Sequence, residues 1–579
     1  MTGVRRRAAV VVLVLAAAGV AGCASVPSSS PVQILRAVTD GETAVLPPGP
    51  VDGSDAIELV RGFVQASASS ADEHAAARRF LADEAADWDD AAGSTVLEPS
   101  FDTVPAPDAP DASTDRTRVQ IRGTSVGRVS QAGSFEPVQA PIRIDVTVVR
   151  RDGQWRISEL PPGVVVPLSE FRSSYREVRT WFVDPARRLV VPDQRYLPSF
   201  PARAKAARAL ELLFAGPSGA LSGAVVSQLV AGARLRSNVA LDGGGALVVD
   251  LTRLDDVSDA DRRLLAAQVV LSVAEVNVAR VRLLVDGVPL LSDRPVLTRE
   301  DVIDLSAEVQ PGADVPALVA TGGRLRGLGA VSGSAELPGP LGNGGYDVES
   351  AASTVDGQRL AAVARSAGRR LLIVGGTPEA GVTEVGLTAG NMTRPSWIPT
   401  GNEVWTVLDG AVVARVLVDG SGPARTGRVN ADELAALGPI EDLRISRDGM
   451  RVAAVVAGGL YAGAVTRSID GEVAIRNIRA LRPADLSGVV AADWRSTETI
   501  VAITRRSDRL VTQVSADGIS VQALLVNNLT PPLGAVAAAA SRAFLVTDQT
   551  GVWSFAGGDQ DAWRQVLGGT PDAVPFYPG

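Results

Sequence analysis

Cys23 is the only cysteine and His74 the only histidine in 579 residues, so any chemistry needing a thiol or an imidazole has one position available for each. A Cys/His zinc site needs more ligands than these two side chains supply, and a disulfide framework needs further cysteines. Ser125 lies in Gly-Thr-Ser-Val-Gly, residues 123–127, which matches the G-x-S-x-G pattern of a serine nucleophile. That chemistry places the serine on a sharp strand-to-helix turn, with the histidine base later in the chain. Here the pentapeptide sits inside strand-like alternation and His74 precedes it, so Ser125 is expected to be structural. His74, next to Asp72 and Glu73 at the head of an alanine-rich stretch, is expected to be solvated. No phosphate-cradling glycine loop follows a strand. With 65 acidic residues, carboxylate pairs of the glycosidase kind arise by coincidence. Asp356 and Asp448, each followed by glycine, read as turn residues. No catalytic residue, metal or cofactor is expected.

The surroundings of Cys23 point to a different use of its sulfur. Arg5, Arg6 and Arg7 precede an uncharged apolar run from Ala8 to Gly22. A membrane-crossing helix needs about 20 apolar residues, so this run is short for a span and suits the core of a signal peptide. It ends in Val20-Ala21-Gly22-Cys23, which resembles the bacterial lipobox. The resemblance implies cleavage after Gly22 and lipid attachment at Cys23, through an S-diacylglyceryl thioether and an N-acyl chain such as palmitate. Small side chains at Ala21 and Gly22 let a peptidase approach the backbone. Two or more acyl chains, at ~0.8 kcal/mol per buried CH₂, make a stable anchor. The mature chain is then expected on the extracytoplasmic face of the cell membrane. Serine, proline and glycine dominate from residue 24 to about 52, as expected of a tether.

Composition narrows the remaining chain. It is 46% hydrophobic, with 65 acidic residues against 56 basic ones and a formal net charge of −9. The basic residues are scattered and all but Lys205 are arginine, which argues against a nucleic-acid partner.

Three blocks of folded chain follow the tether. In the first, Ile57, Val60, Phe63 and Val64 recur at helical spacing behind a cap at Ser54 or Asp55. A second helix is expected over EHAAARRFLADEAADW, residues 73–88, and strands over TRVQIRGTSVGRVS and APIRIDVTVVRRDGQWRISEL, the latter turning at Asp152-Gly153. Helices followed by a curved antiparallel sheet resemble an NTF2-like cone, a shape that often encloses a pocket. The second block has a helix over residues 203–214 stopped at Gly216-Pro217, a strand at 245–252, a helix over 260–277, and RVRLLVDGVPL with a tight turn at Asp286-Gly287. This order resembles the GerMN domain of spore-germination and envelope lipoproteins, to which no catalytic residues are attributed. In the third block, after an expected irregular loop over 327–345, a polar turn followed by a short apolar strand recurs at 353–364, 396–408, 444–456 and 493–504, with a looser copy ending at Thr547. Turn glycines Gly357, Gly401 and Gly449 are 44 and 48 residues apart, close to the ~40–50-residue period of propeller blades. About six blades are expected.

The fold expected is therefore multidomain: an α+β NTF2-like cone, an α/β GerMN-like domain, then an all-β propeller. The expected divisions are 1–22 signal peptide, 23–52 tether, 53–184 cone, 185–300 GerMN-like domain and 301–579 propeller. In that order the chain resembles the actinobacterial LpqB lipoprotein family. The resemblance implies a non-enzymatic accessory of the Mtr two-component system, contacting the extracytoplasmic domain of its sensor histidine kinase in envelope and division signalling. Two other readings stand beside it: an envelope glycan or peptidoglycan hydrolase with a carboxylate pair on the propeller, and a small-ligand-binding lipoprotein using the cone.

Overall fold

The computed structural model describes residues 47–107, 115–199, 202–229, 233–254, 257–312, 315–329, 334–376, 381–418, 423–557 and 562–579. The first block opens with helix Ala56–Ala66, capped by Asp55, whose carboxylate accepts the N–H groups of Ile57 and Glu58 at 2.8 Å each. Its buried face, Leu59, Val60, Phe63 and Val64, packs on a five-stranded sheet ordered 154–159, 135–151, 116–129, 94–105 and 164–167. Register shifts at Val96/Leu97, Leu97/Phe101 and Ser125/Gly127 interrupt the long strands. Bulges of this kind bend a strand and raise its twist, which curls the sheet into a cone. Phe63, Phe80, Trp88, Phe135 and Phe171 fill the core between helix and sheet.

The helix expected over 73–88 forms as α-helix only at Ala75–Arg78, with a separate 3-10 turn at Asp83–Ala85. Tertiary pairing overrides the local helical pattern here. Leu81 bridges to Ile157, with Ala82 N–H donating to the Ile157 carbonyl at 2.7 Å and Ile157 N–H to the Phe80 carbonyl at 2.9 Å. These bonds draw the chain onto the sheet's edge strand and out of helical geometry.

Between the first two blocks runs a hairpin, Tyr175–Asp184 with Leu189–Pro198. The division expected between residues 184 and 185 lies in its turn. The tip half of both strands packs instead with the second block, where Trp181, Phe182, Val183, Val190 and Val191 share a core with helix Asp259–Ala274, while Tyr175 and Tyr196 at the other end pack with the cone's core. That helix carries two fully buried polar residues, Gln268 and Ser272. Gln268 Nε2 donates to the Trp181 carbonyl at 2.9 Å, and Ser272 Oγ accepts the Trp181 N–H at 3.0 Å. The two side chains thus satisfy backbone groups in the middle of the hairpin, as burial demands. On the helix's other side, strands 247–252 and 281–285 pair in parallel, an arrangement that requires a crossover and obtains it from this helix. Ten consecutive residues, Leu264–Val273, are buried, because sheet and hairpin cover the helix on two sides.

Among the described residues, six four-stranded sheets make up the third block. The recurring polar turns join the first and second strands of successive sheets, and Gly357, Gly401 and Gly449 adopt φ of 70°, 68° and 75°, the left-handed region that favours glycine. The stretch expected to be an irregular loop supplies strands Arg324–Leu328 and Ser334–Glu336 to the first sheet. That sheet is completed by the C-terminal strand Val574–Phe576, paired with Leu318–Ala320. The ring closes with this strand, because the C-terminal segment supplies a strand to the sheet that begins the block. No helix among the described residues is long and apolar enough to cross a membrane.

Deleting residues 574–579 removes the closing strand. Its loss is expected to lower the thermal midpoint by roughly 10 °C, the shift that about 4 kcal/mol produces in a domain of this size, measured by circular dichroism.

Candidate functional site

Cys23, with Val20, Ala21 and Gly22, lies outside the described residues. Ser125 is buried within strand Arg116–Val129, where its Oγ lies 3.4 Å from the Gly127 carbonyl. It occupies a sheet bulge, not a strand-to-helix turn. His74 is not solvated: it is 8% exposed, its Nδ1 lies 3.0 Å from the Ser67 carbonyl, and its ring meets Trp88 edge-on. Burial pushes its pKa below the usual histidine value, against the opposing pull of Asp90. The polar neighbours in sequence had suggested exposure. However, Asp72, Glu73 and His74 all take left-handed backbone conformations, with φ of 49°, 55° and 57°, and these turn the imidazole inward. No hydrogen bond joins His74 to Ser125 among the described residues, so no serine-nucleophile pair assembles.

The turn acids are committed to backbone geometry. Asp356 accepts the Gln358 N–H at 3.0 Å and the Thr354 hydroxyl at 2.5 Å. Asp448, fully buried, accepts the Met450 N–H at 2.9 Å and pairs with Arg451. These carboxylates make Asx-type turns.

A propeller's axis is where its inner strands converge, and here protein side chains fill it. Arg444 and Asp442 come from inner strand Ile440–Ile445, Asp493 from inner strand Val489–Trp494, and Arg394 from the residues leading into the third sheet. Arg394 bonds the carbonyls of Val536 and Pro575 at 3.2 and 3.1 Å, on the sixth and first sheets, and pairs with Asp493 at 3.1 Å. Arg444 bonds the carbonyls of Arg394 and Pro395 at 3.0 and 2.7 Å and pairs with Asp442 at 2.9 Å. Arg447 reaches the carbonyls of Ala538 and Pro578. Burial, with Arg394 nearby, lowers the Arg444 pKa to about 10, which leaves it protonated at neutral pH. Sequence reading missed this cluster. Its one signal is charge at 442, 444 and 493, in strands that also carry large apolar residues.

A second polar cluster joins the propeller to the blocks before it. Arg179 on the hairpin faces both carboxylate oxygens of Glu498, at 2.7 and 2.8 Å. Tyr196 donates to Asp517 at 2.7 Å, Thr497 donates to Glu308 at 2.6 Å, and Arg482 pairs with Glu98 at 2.6 Å. Apolar contacts accompany these bonds, since Ile519 joins the cone's core and Met450 that of the second block. Burial raises the Glu498 carboxyl pKa. Glu177, at the rim, is pushed up to about 7 by lost solvation and by the charges of Glu498 and Asp517.

A cone, a hairpin-braced α/β block and a closed six-sheet ring with a filled axis define a multidomain propeller protein built as one body. The chain belongs to the lipoprotein LpqB family. Residues 49–172 match the model described as the lipoprotein LpqB N-terminal domain, 180–291 the one described as sporulation and spore germination, and 327–578 the lipoprotein LpqB β-propeller domain. The chain is 32% identical to lipoprotein LpqB of Rhodococcus opacus (strain B4), over 97% of this chain and 96% of that protein. It is 33% identical to that of Nocardia farcinica (strain IFM 10152), over 100% and 98%. With that of Mycobacterium bovis (strain BCG / Pasteur 1173P2) it shares 32% identity over 98% and 99%. Among solved structures, the β-propeller domain of Cps50 (Swd1) from Myceliophteria thermophila matches with a TM-score of 0.28 and 13% identity, over 37% of this chain and 67% of that one.

The raised Glu177 carboxyl sets a pH dependence. Because its folded pKa lies above the unfolded value, its contribution is fully present below about pH 4.5 and is lost as pH rises through about 7. Thermal midpoints measured from pH 5 to 8 are expected to fall as the pH rises toward 7 and to level off above it, and Glu177→Gln is expected to flatten that fall.

Proposed function

We propose that this chain is a lipid-anchored, non-enzymatic accessory protein on the extracytoplasmic face of the cell membrane. In this reading it binds the extracytoplasmic domain of a two-component sensor histidine kinase, that of the Mtr system, in envelope and division signalling. The observation that carries the non-enzymatic part is the filled axis. Arg394, Arg444 and Arg447 occupy the place where a propeller would hold a substrate, and their partners are the protein's own carbonyls and carboxylates. Such a ring serves as a rigid support for partner-facing loops. The Val20–Cys23 motif supports the anchor, and the family resemblance supports the kinase as partner.

The hydrolase reading loses support from the turn acids, which bond their own turns, and the cone-pocket reading from the aromatic side chains packed inside the cone.

Cys23→Ala is expected to leave the protein unprocessed or to release it from membranes. Acyl labelling and membrane fractionation unchanged from the wild type would refute the anchor. Crosslinking in intact cells, followed by mass spectrometry, is expected to recover a sensor histidine kinase. A repeated failure to do so where the kinase is expressed counts against the partner assignment.

A further inference from the structure

The tip of the hairpin, Asp184–Arg187, overhangs the third and fourth propeller sheets and encloses a cleft of about 460 Å³. This volume lies in the range of small-molecule sites. One wall is apolar, formed by Ile398, Pro399, Leu417, Met450 and Val473. Glu403, whose side chain is 4% exposed, sits among the polar lining residues and draws in two arginines from different sheets. Arg467 Nη1 lies 3.2 Å from Oε2 of Glu403, and Arg415 Nη1 lies 3.8 Å from Oε1. The Trp405 indole N–H donates to the same carboxylate.

The charges do not cancel. Arg187, Arg415 and Arg467 stand against Asp184 and Glu403, three positive groups to two negative, leaving an excess of one. Asp184 is engaged by Arg187 and by the backbone N–H of Ala186. Arg415 also donates to the Gly471 carbonyl at 3.1 Å. Among the described residues Arg467 donates to Glu403 alone, and its side chain is 27% exposed. The rest of its planar fork, which suits a carboxylate, is therefore available.

We propose that this cleft binds a small monocarboxylate with an apolar body, its carboxylate on Arg467 and its body against the Ile398–Leu417–Met450 wall. A monoanion matches the single excess charge. A phosphate dianion would meet Asp184 and Glu403 with a second, uncompensated charge. The walls come from the hairpin and two sheets, so an occupant bridges the second block and the propeller. The site depends neither on the lipid anchor nor on the kinase.

The test is saturation-transfer NMR on the full-length protein in detergent. The probes are hexanoate, 4-phenylbutyrate and N-acetyl-leucine, each beside its neutral amide, with inorganic phosphate as a further comparison. At least one carboxylate is expected to bind saturably and about tenfold more tightly than its amide, and Arg467→Met is expected to remove that preference. Arg506→Met, on an exposed pair with Asp508 in the fifth sheet, is expected to bind as the wild type does. Should Arg467→Met fail to fold, the carboxylate-to-amide comparison on wild-type protein decides. No saturable binding by any of the three carboxylates overturns the proposal. So does equal binding of acid and amide, an unchanged affinity in folded Arg467→Met, or tighter binding of phosphate than of every carboxylate.

Discussion

The guanidinium of Arg451 joins the propeller to the rest of the molecule. It is buried between the carboxylate of Asp448, on its own turn, and the backbone carbonyl of Pro192, on the hairpin that precedes the second block. Arg187 returns the contact from the hairpin tip by donating to the Asp448 carbonyl. The Arg179–Glu498 pair, the Tyr196–Asp517 bond and the cleft beneath the hairpin tip all require the hairpin to sit against the third, fourth and fifth sheets in this one register. The hairpin is fixed on its other face by Gln268 and Ser272, so a displacement there would move every contact with the ring.

Burying charge is costly. The effective penalty is several kcal/mol per ion and is offset only where hydrogen bonds complete the site. That condition suits arginine at the buried positions. A guanidinium presents five donors in a planar fork, so Arg394 and Arg444 each bridge two carbonyls and a carboxylate. An ammonium, a compact point charge with three donors, does not span the axis in the same way. The network ties carbonyls from the first and sixth sheets to arginines entering from the third and fourth.

Much of the architecture was legible in local sequence. The cap at the head of the first helix, expected at Ser54 or Asp55 and made by Asp55, the turn at Asp286-Gly287 and the repeated turn glycines depend on residues within a few positions of one another, where side-chain type and spacing act directly. The features that escaped reading depend on distant partners. Residues 79–88 carry a helical pattern but lose the helix because Leu81 meets Ile157 across the sheet. His74 has polar neighbours yet is buried, since three left-handed residues turn it toward Trp88. Strand Ser334–Glu336, inside the stretch expected to be a loop, has too little apolar alternation to announce itself; it pairs with Arg324–Leu328, which in turn pairs with Leu318–Thr321.

By itself the sequence determined the lipobox-like pattern of Val20–Cys23, the order of the three blocks and the period of the ring, because each is written in residue types at short spacing. It also limited the chemistry, since a chain with one cysteine and one histidine has few ways to build a nucleophile or a metal centre. Only the tertiary structure decided where the charges go. Whether Arg444 plugs an axis or covers a surface, and whether Glu403 gathers two arginines under a hairpin tip, follows from which backbone carbonyls and carboxylates the fold brings within hydrogen-bonding distance. Glu403 lies 12 and 64 residues from its two arginines, and Arg444 lies 50 and 49 from the two carbonyls it bonds; no local pattern encodes such pairs.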